Sequence, residues 1–116
     1  MTSVTLYGIK NCDTVKKARK WLDANSVPYT FHDFRVDGIN KTLVNSFLKQ
    51  IDIETLINKR GTTWRKLSDE EKEIKNKAQA IALMVENPAI IKRPVLEVKK
   101  EIFVGFSDES YKSIKF

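Results

Sequence analysis

The residue with the most chemistry to offer is Cys12, the only cysteine of the chain. It sits between Asn11 and Asp13, in a stretch that reads as a turn running into a helix. A cysteine at a helix start faces unpaired backbone amides and the positive end of the helix dipole, so its pKa should fall below the free value of about 8.5. Lys10, Lys16 and Lys17 add positive charge nearby, and the Thr14 hydroxyl is placed to donate a hydrogen bond to the sulfur. The competing reading is a buried structural cysteine, a common fate of free thiols. Polar neighbours on both sides favour a wetted loop and a reactive thiolate. A C-x-x-C dithiol would need its second cysteine at position 15, which is Val15. One cysteine also excludes an internal disulfide and a cysteine-rich zinc site, and no bound metal is expected. A monothiol reaction that needs a second molecule remains.

Two further segments carry groups suited to binding. Lys92-Arg93-Pro94-Val95 places a proline at the entrance to a predicted strand. It reads either as a simple strand start or as a cis peptide that turns the Arg93 backbone toward a ligand. Arg60-Gly61-Thr62-Thr63-Trp64-Arg65 combines two guanidinium groups, hydroxyls and a glycine, a loop able to grip an oxyanion or to serve as a solvated turn. His32 lies in a predicted strand without histidine or cysteine partners and reads as structural.

These residues must be positioned by an α/β framework. Val4, Leu6 and Tyr7 mark a buried strand from about Ser3 to Tyr7, ending at Gly8. Val15, Ala18, Trp21 and Leu22 then recur at three- and four-residue steps and predict a helix from Asp13 to about Asn25. The alternating Pro28–Asp33 segment predicts a second strand, so the first third is a βαβ unit with parallel strands. Leu43, Val44, Phe47, Leu48 and Ile51 give the apolar face of a helix capped by Asn40. Ser68 with Glu71 reads as a capping box opening a helix that carries Ala78, Ile81, Ala82 and Val85. Val95–Val98 and Ile102–Val104 predict a hairpin, and Ser107 caps a last helix with Tyr111 and Ile114 facing inward. The order is βα, β, several helices, then ββα.

Composition limits the class. The 116 residues and 41% apolar content suit one domain with a conventional core. The longest apolar stretch, Ala80–Val85, falls far short of the roughly 18 residues a membrane span requires. Residues Met1 to Leu6 lack a basic segment leading into a long apolar run, and the expectation is a cytoplasmic monomer with no membrane partner. Twenty-one basic against 15 acidic side chains give a net charge of +6, which would suit an acidic partner. The charges are interleaved and no nucleic-acid motif appears, so nucleic acid is not an expected ligand.

Gly8-Ile9-Lys10-Asn11-Cys12-Asp13-Thr14-Val15-Lys16-Lys17-Ala18, Trp21-Leu22, Ile91-Lys92-Arg93-Pro94-Val95 and Gly105-Phe106-Ser107-Asp108 occur in this order along nearly the whole chain. Together they resemble the ArsC-type arsenate reductase family, within it the Spx-like branch and its small YffB-like members. The resemblance implies a thioredoxin-like fold over residues 1–116 with a helical insertion at roughly 40–90. It implies Cys12 as nucleophile and Pro94 as a cis proline. The Arg93 backbone would pair with a peptide-like thiol, its side chain facing the cysteine, and Lys10 and Arg60 would assist in anion binding, with Arg65 the alternative to Arg60. Arsenate reductases of the family carry an arginine where this chain has Gly105 and a glycine where it has Asp13. One change removes a cation and the other adds a carboxylate, which weakens the case for arsenate. The resemblance therefore implies a monothiol oxidoreductase with glutathione as co-substrate and glutathione or a glutaredoxin supplying the second thiol. Two alternatives stand beside it: a regulator contacting RNA polymerase, as in the Spx-like branch, and arsenate reduction proper.

Overall fold

A computed structural model describes residues 4–116. The chain divides into two compact units, one built from its two ends, up to Asp37 and from Arg93 onward, the other from Gly38–Lys92.

The first unit holds a four-stranded sheet in the order β2-β1-β3-β4, with β1 Val4–Gly8, β2 Thr30–Asp33, β3 Val95–Val98 and β4 Glu101–Val104. β1 runs parallel to β2, with Gly8 opposite Asp33, and antiparallel to β3. The expected first strand is present; its predicted first residue, Ser3, lies outside the described residues. The second strand begins at Thr30, two residues later than the alternation of Pro28–Asp33 predicts. Helix α1, Asp13–Ala24, and the last helix, Asp108–Lys112, both contribute to the core formed on the sheet. Val4 and Leu6 of β1, Val15, Ala18 and Leu22 of α1, Leu96 and Val98 of β3 and Tyr111 of the last helix form this core. Burying a valine or leucine side chain contributes about 1.5–3 kcal/mol relative to exposure. Together with the intervening helices, this is the thioredoxin-like fold with a helical insertion.

Three local features fix α1 against β1. Gly8 lies so close beneath the helix that a Cβ there would stand 2.7 Å from Val15 Cγ2. The helix ends in a Schellman motif: Ser26 is left-handed at φ 56°, Val27 N–H donates to the Leu22 carbonyl at 2.9 Å, and Ser26 N–H to Asp23 at 3.2 Å. At its beginning stands Cys12. The β3–β4 hairpin closes through Lys99 and Lys100, both left-handed at φ 51° and 75°, as a two-residue primed turn requires.

The second unit is helical. α2, Lys41–Leu48, is capped by Asn40, whose side chain accepts the Leu43 N–H at 2.9 Å, and it packs on α6, Lys77–Glu86. Between them come three single-turn helices, α3 Ile53–Leu56, α4 Thr62–Arg65 and α5 Asp69–Lys72. The Ser68–Glu71 capping box forms, with reciprocal bonds of 3.1 and 3.0 Å. It opens only α5, however; the chain breaks and restarts at Asn76, whose side chain caps α6 by accepting from Gln79 N–H at 2.8 Å. The buried face of α6 is Ala80, Leu83 and Met84, while Ala78 is exposed and Ile81, Ala82 and Val85 are half-buried. A 3₁₀ turn, Pro88–Ile90, follows, and the last helix of the chain is α7. The Asn58 N–H bond to Ile90 and the Lys92 N–H bond to Leu56, both 2.7 Å, tie the unit's final residues to the segment after α3.

Candidate active site

Cys12 is the N-cap residue of α1, in extended conformation at φ −90° and ψ 126°. Its carbonyl accepts the first helical bond from Lys16 N–H at 3.0 Å, and its own N–H closes a turn on the Ile9 carbonyl at 3.1 Å. The side chain is half-buried and rests against the margin of the sheet core. Partial burial by itself raises the thiol pKa. The Val15 N–H, the Arg93 guanidinium acting as donor and as charge, and the Thr14 N–H together outweigh it, and the pKa of Cys12 lies below the ordinary thiol value. Thr14 thus acts through its backbone amide, where the sequence reading looks to its hydroxyl.

Arg93 reaches the sulfur from the segment entering β3. The Arg93–Pro94 peptide bond is cis, and Pro94, buried, accepts the Gly105 N–H on its carbonyl at 2.8 Å. Gly105 is left-handed at φ 84°, a conformation that costs any other L residue about 1–2 kcal/mol. An arginine at this position would meet that strain, which is a backbone reason for glycine here.

Lys10 is exposed, and its N–H donates to the Asp33 carboxylate at 3.3 Å. Arg60 and Arg65 both belong to the second unit and are exposed. Arg60 N–H donates to Asn58 Oδ1 at 3.1 Å, and Arg65 closes α4, a helix where the sequence predicts a loop. His32 lies in a ring cluster, 5.0 Å from Tyr7 and 6.0 Å from Phe34. Asp33 is the residue that sequence reading misses. It is 6% exposed, the one buried charged side chain among the described residues, and it holds the loop that carries Cys12. Its only sequence signal is the pair Asp33 and Asp37 around a turn. No cluster of three or more metal-ligating side chains occurs among the described residues.

Residues 7–114 match the sequence pattern of the ArsC family. The chain belongs to the ArsC family. Among solved structures it is similar to an arsenate reductase (ArsC) related protein from Brucella melitensis, with 45% identity, a TM-score of 0.78 and coverage of 96% of this chain and 92% of the other. It is also similar to the YFFB (PA3664) protein, with 43% identity, a TM-score of 0.91 and coverage of 96% and 97%. The chain is also similar to the global transcriptional regulator Spx 2 of Lactococcus lactis, 29% identical over 112 residues, which cover 95% of this chain and 84% of the regulator. No described helix is long and apolar enough to cross a membrane.

Proposed function

We propose that this ArsC-family chain is a glutathione-dependent monothiol oxidoreductase with Cys12 as its nucleophile. The observation that carries the reading is the half-buried sulfur at the start of α1, with two backbone amides and the Arg93 guanidinium favouring its thiolate. The thiolate, which these groups favour, is the form that attacks disulfides.

The Cys12 thiolate attacks a glutathionylated substrate, R–S–S–G. The new Cys12–S–S–G bond forms as the substrate sulfur leaves as R–S⁻. Glutathione thiolate then attacks the glutathione sulfur of the mixed disulfide, giving oxidised glutathione and returning Cys12 as thiolate. The net reaction is a thiol–disulfide exchange: one glutathione thiol is consumed, the substrate sulfur is released as a thiol, and the glutathionyl group the substrate brought leaves within oxidised glutathione. Arg93 stabilises the Cys12 thiolate before attack and after release, and its backbone, beside Pro94, pairs with the glutathione peptide. Lys10 supplies charge for a glutathione carboxylate.

Incubation with oxidised glutathione followed by intact-mass measurement tests this. A single glutathione adduct that Cys12→Ser abolishes and reduced glutathione removes is expected; no adduct would overturn the glutathione assignment.

The likeness to Spx favours a second reading, regulation through contact with RNA polymerase. Position 15 is a fully buried valine, so a Cys12-x-x-Cys redox switch is absent. Co-purification with polymerase that survives Cys12→Ser would favour it. Arsenate reduction finds less support, because Asp13 sets an exposed carboxylate beside Cys12 and Gly105 supplies no cation.

A further inference from the structure

We infer that Asp33 is the positioning residue of the Cys12 loop, its buried carboxylate tying the turn that carries the sulfur to the end of β2. The inference rests on the reading of Cys12 as nucleophile and names what holds it in place.

β1 and β2 are parallel, so the chain leaves both strands at the same edge of the sheet. After β1 it makes the turn Ile9–Cys12, closed by the Cys12 N–H bond to Ile9 at 3.1 Å. After β2 it makes the turn Asp33–Asp37, closed by the Asp37 N–H bond to the Asp33 carbonyl at 2.7 Å. The Asp33 side chain links the two. Its Oδ2 accepts the Lys10 N–H of the first turn at 3.3 Å, and its Oδ1 accepts the Arg35 N–H of the second at 2.8 Å. A backbone bond runs alongside, from Phe34 N–H to the Gly8 carbonyl at 2.9 Å, and Asp37 Oδ2 accepts the Asp33 N–H at 2.9 Å.

A buried carboxylate is costly unless its oxygens are satisfied, and here each oxygen receives an amide from a different turn. This explains why the position is aspartate. Asparagine has the same shape but only one acceptor; its NH₂ group would face an amide donor. Keeping the shorter Arg35 bond, it would surrender the Lys10 bond and release the Cys12 turn. The sulfur would then lose its fixed relation to the Val15 and Thr14 amides and to Arg93, all of which act within a few ångströms.

The test compares Asp33→Asn with Asp37→Ala. Asp37 holds the same second turn, its carboxylate accepting the Asp33 N–H instead of an amide of the first. For each folded variant, the rate of Cys12 alkylation by iodoacetamide is followed against pH, and urea denaturation measures stability. Asp33→Asn should slow alkylation at pH 7 about three- to tenfold, as loss of one hydrogen bond's ordering implies, and move its midpoint up toward the ordinary thiol value. Asp37→Ala should lower stability and leave the profile in place. A wild-type profile that lies low and is unchanged in Asp33→Asn would overturn this inference alone, as would an equal displacement in both variants. A wild-type midpoint at the ordinary thiol value would overturn the reading of Cys12 and this inference with it.

Discussion

Gly8→Ala tests how α1, and with it Cys12, is seated on the sheet. The new Cβ would lie 2.7 Å from Val15 Cγ2 and 3.4 Å from Cγ1. Carbon atoms in comfortable contact stand about 3.5–4.0 Å apart, so the pair must separate by roughly 1 Å. Val15 is fully buried, and a β-branched side chain within a helix has essentially one favoured χ1 rotamer, so it cannot simply swing aside. The helix must move, or the side chain must leave its rotamer. Overpacking of this kind costs about 1–3 kcal/mol, offset by about 0.5–1 kcal/mol from the reduced chain entropy of alanine in the unfolded state. The net expectation is a loss of about 1–2 kcal/mol, a sizeable part of a stability of roughly 5–15 kcal/mol. Urea denaturation followed by circular dichroism would read it as a lower midpoint with an unchanged slope. Val15→Ala supplies the second arm. Alone it should destabilise by about 1–3 kcal/mol through lost burial, but in the Gly8→Ala background it removes the clash, so the double variant should be clearly more stable than the sum of the singles. A Gly8→Ala protein as stable as the parent, or two effects that simply add, would refute the argument that this contact sets the height of α1.

Tyr111→Phe should leave stability unchanged or raise it by up to about 1 kcal/mol in the same assay, because the buried Tyr111 hydroxyl has no hydrogen-bond partner among the described residues; a loss beyond 1 kcal/mol would show that the hydroxyl is satisfied. Burial, then the Glu97 charge and a 3.5 Å bond to Glu97, push Tyr7 up to about 12. Since the raised value belongs to the folded state, the associated stability is complete below pH 10 and is lost as pH rises toward 12. Tyr7 ring resonances should therefore titrate well above pH 10, and Glu97→Gln should bring the midpoint down; a parent midpoint near 10 would contradict this.

The sequence is most legible where local chemistry and periodicity agree. The polar run around Cys12 followed by Val15, Ala18 and Leu22 places the sulfur at a helix start, and the structure has the same arrangement. The hairpin and the Ser107 cap are equally direct. The helical unit is less so. Lys77–Glu86 is apolar most of the way round, so Ala78, Ile81, Ala82 and Val85 satisfy a helical period as well as the buried Ala80, Leu83 and Met84 do. Which face is covered is a tertiary matter that periodicity cannot decide. Single-turn helices such as α3, α4 and α5 lie below the length at which propensity is informative. Asp33 is illegible for a related reason: an aspartate ending a strand resembles any turn residue, and the amide that donates to it lies more than twenty residues earlier.

The ionisation of Cys12 governs whether its sulfur can act as a nucleophile. Alkylation rate against pH in the parent protein and in Arg93→Ala measures it. The parent midpoint should lie below the ordinary thiol value and move upward when the guanidinium is removed. A parent midpoint at the ordinary value, unmoved in Arg93→Ala, would contradict this.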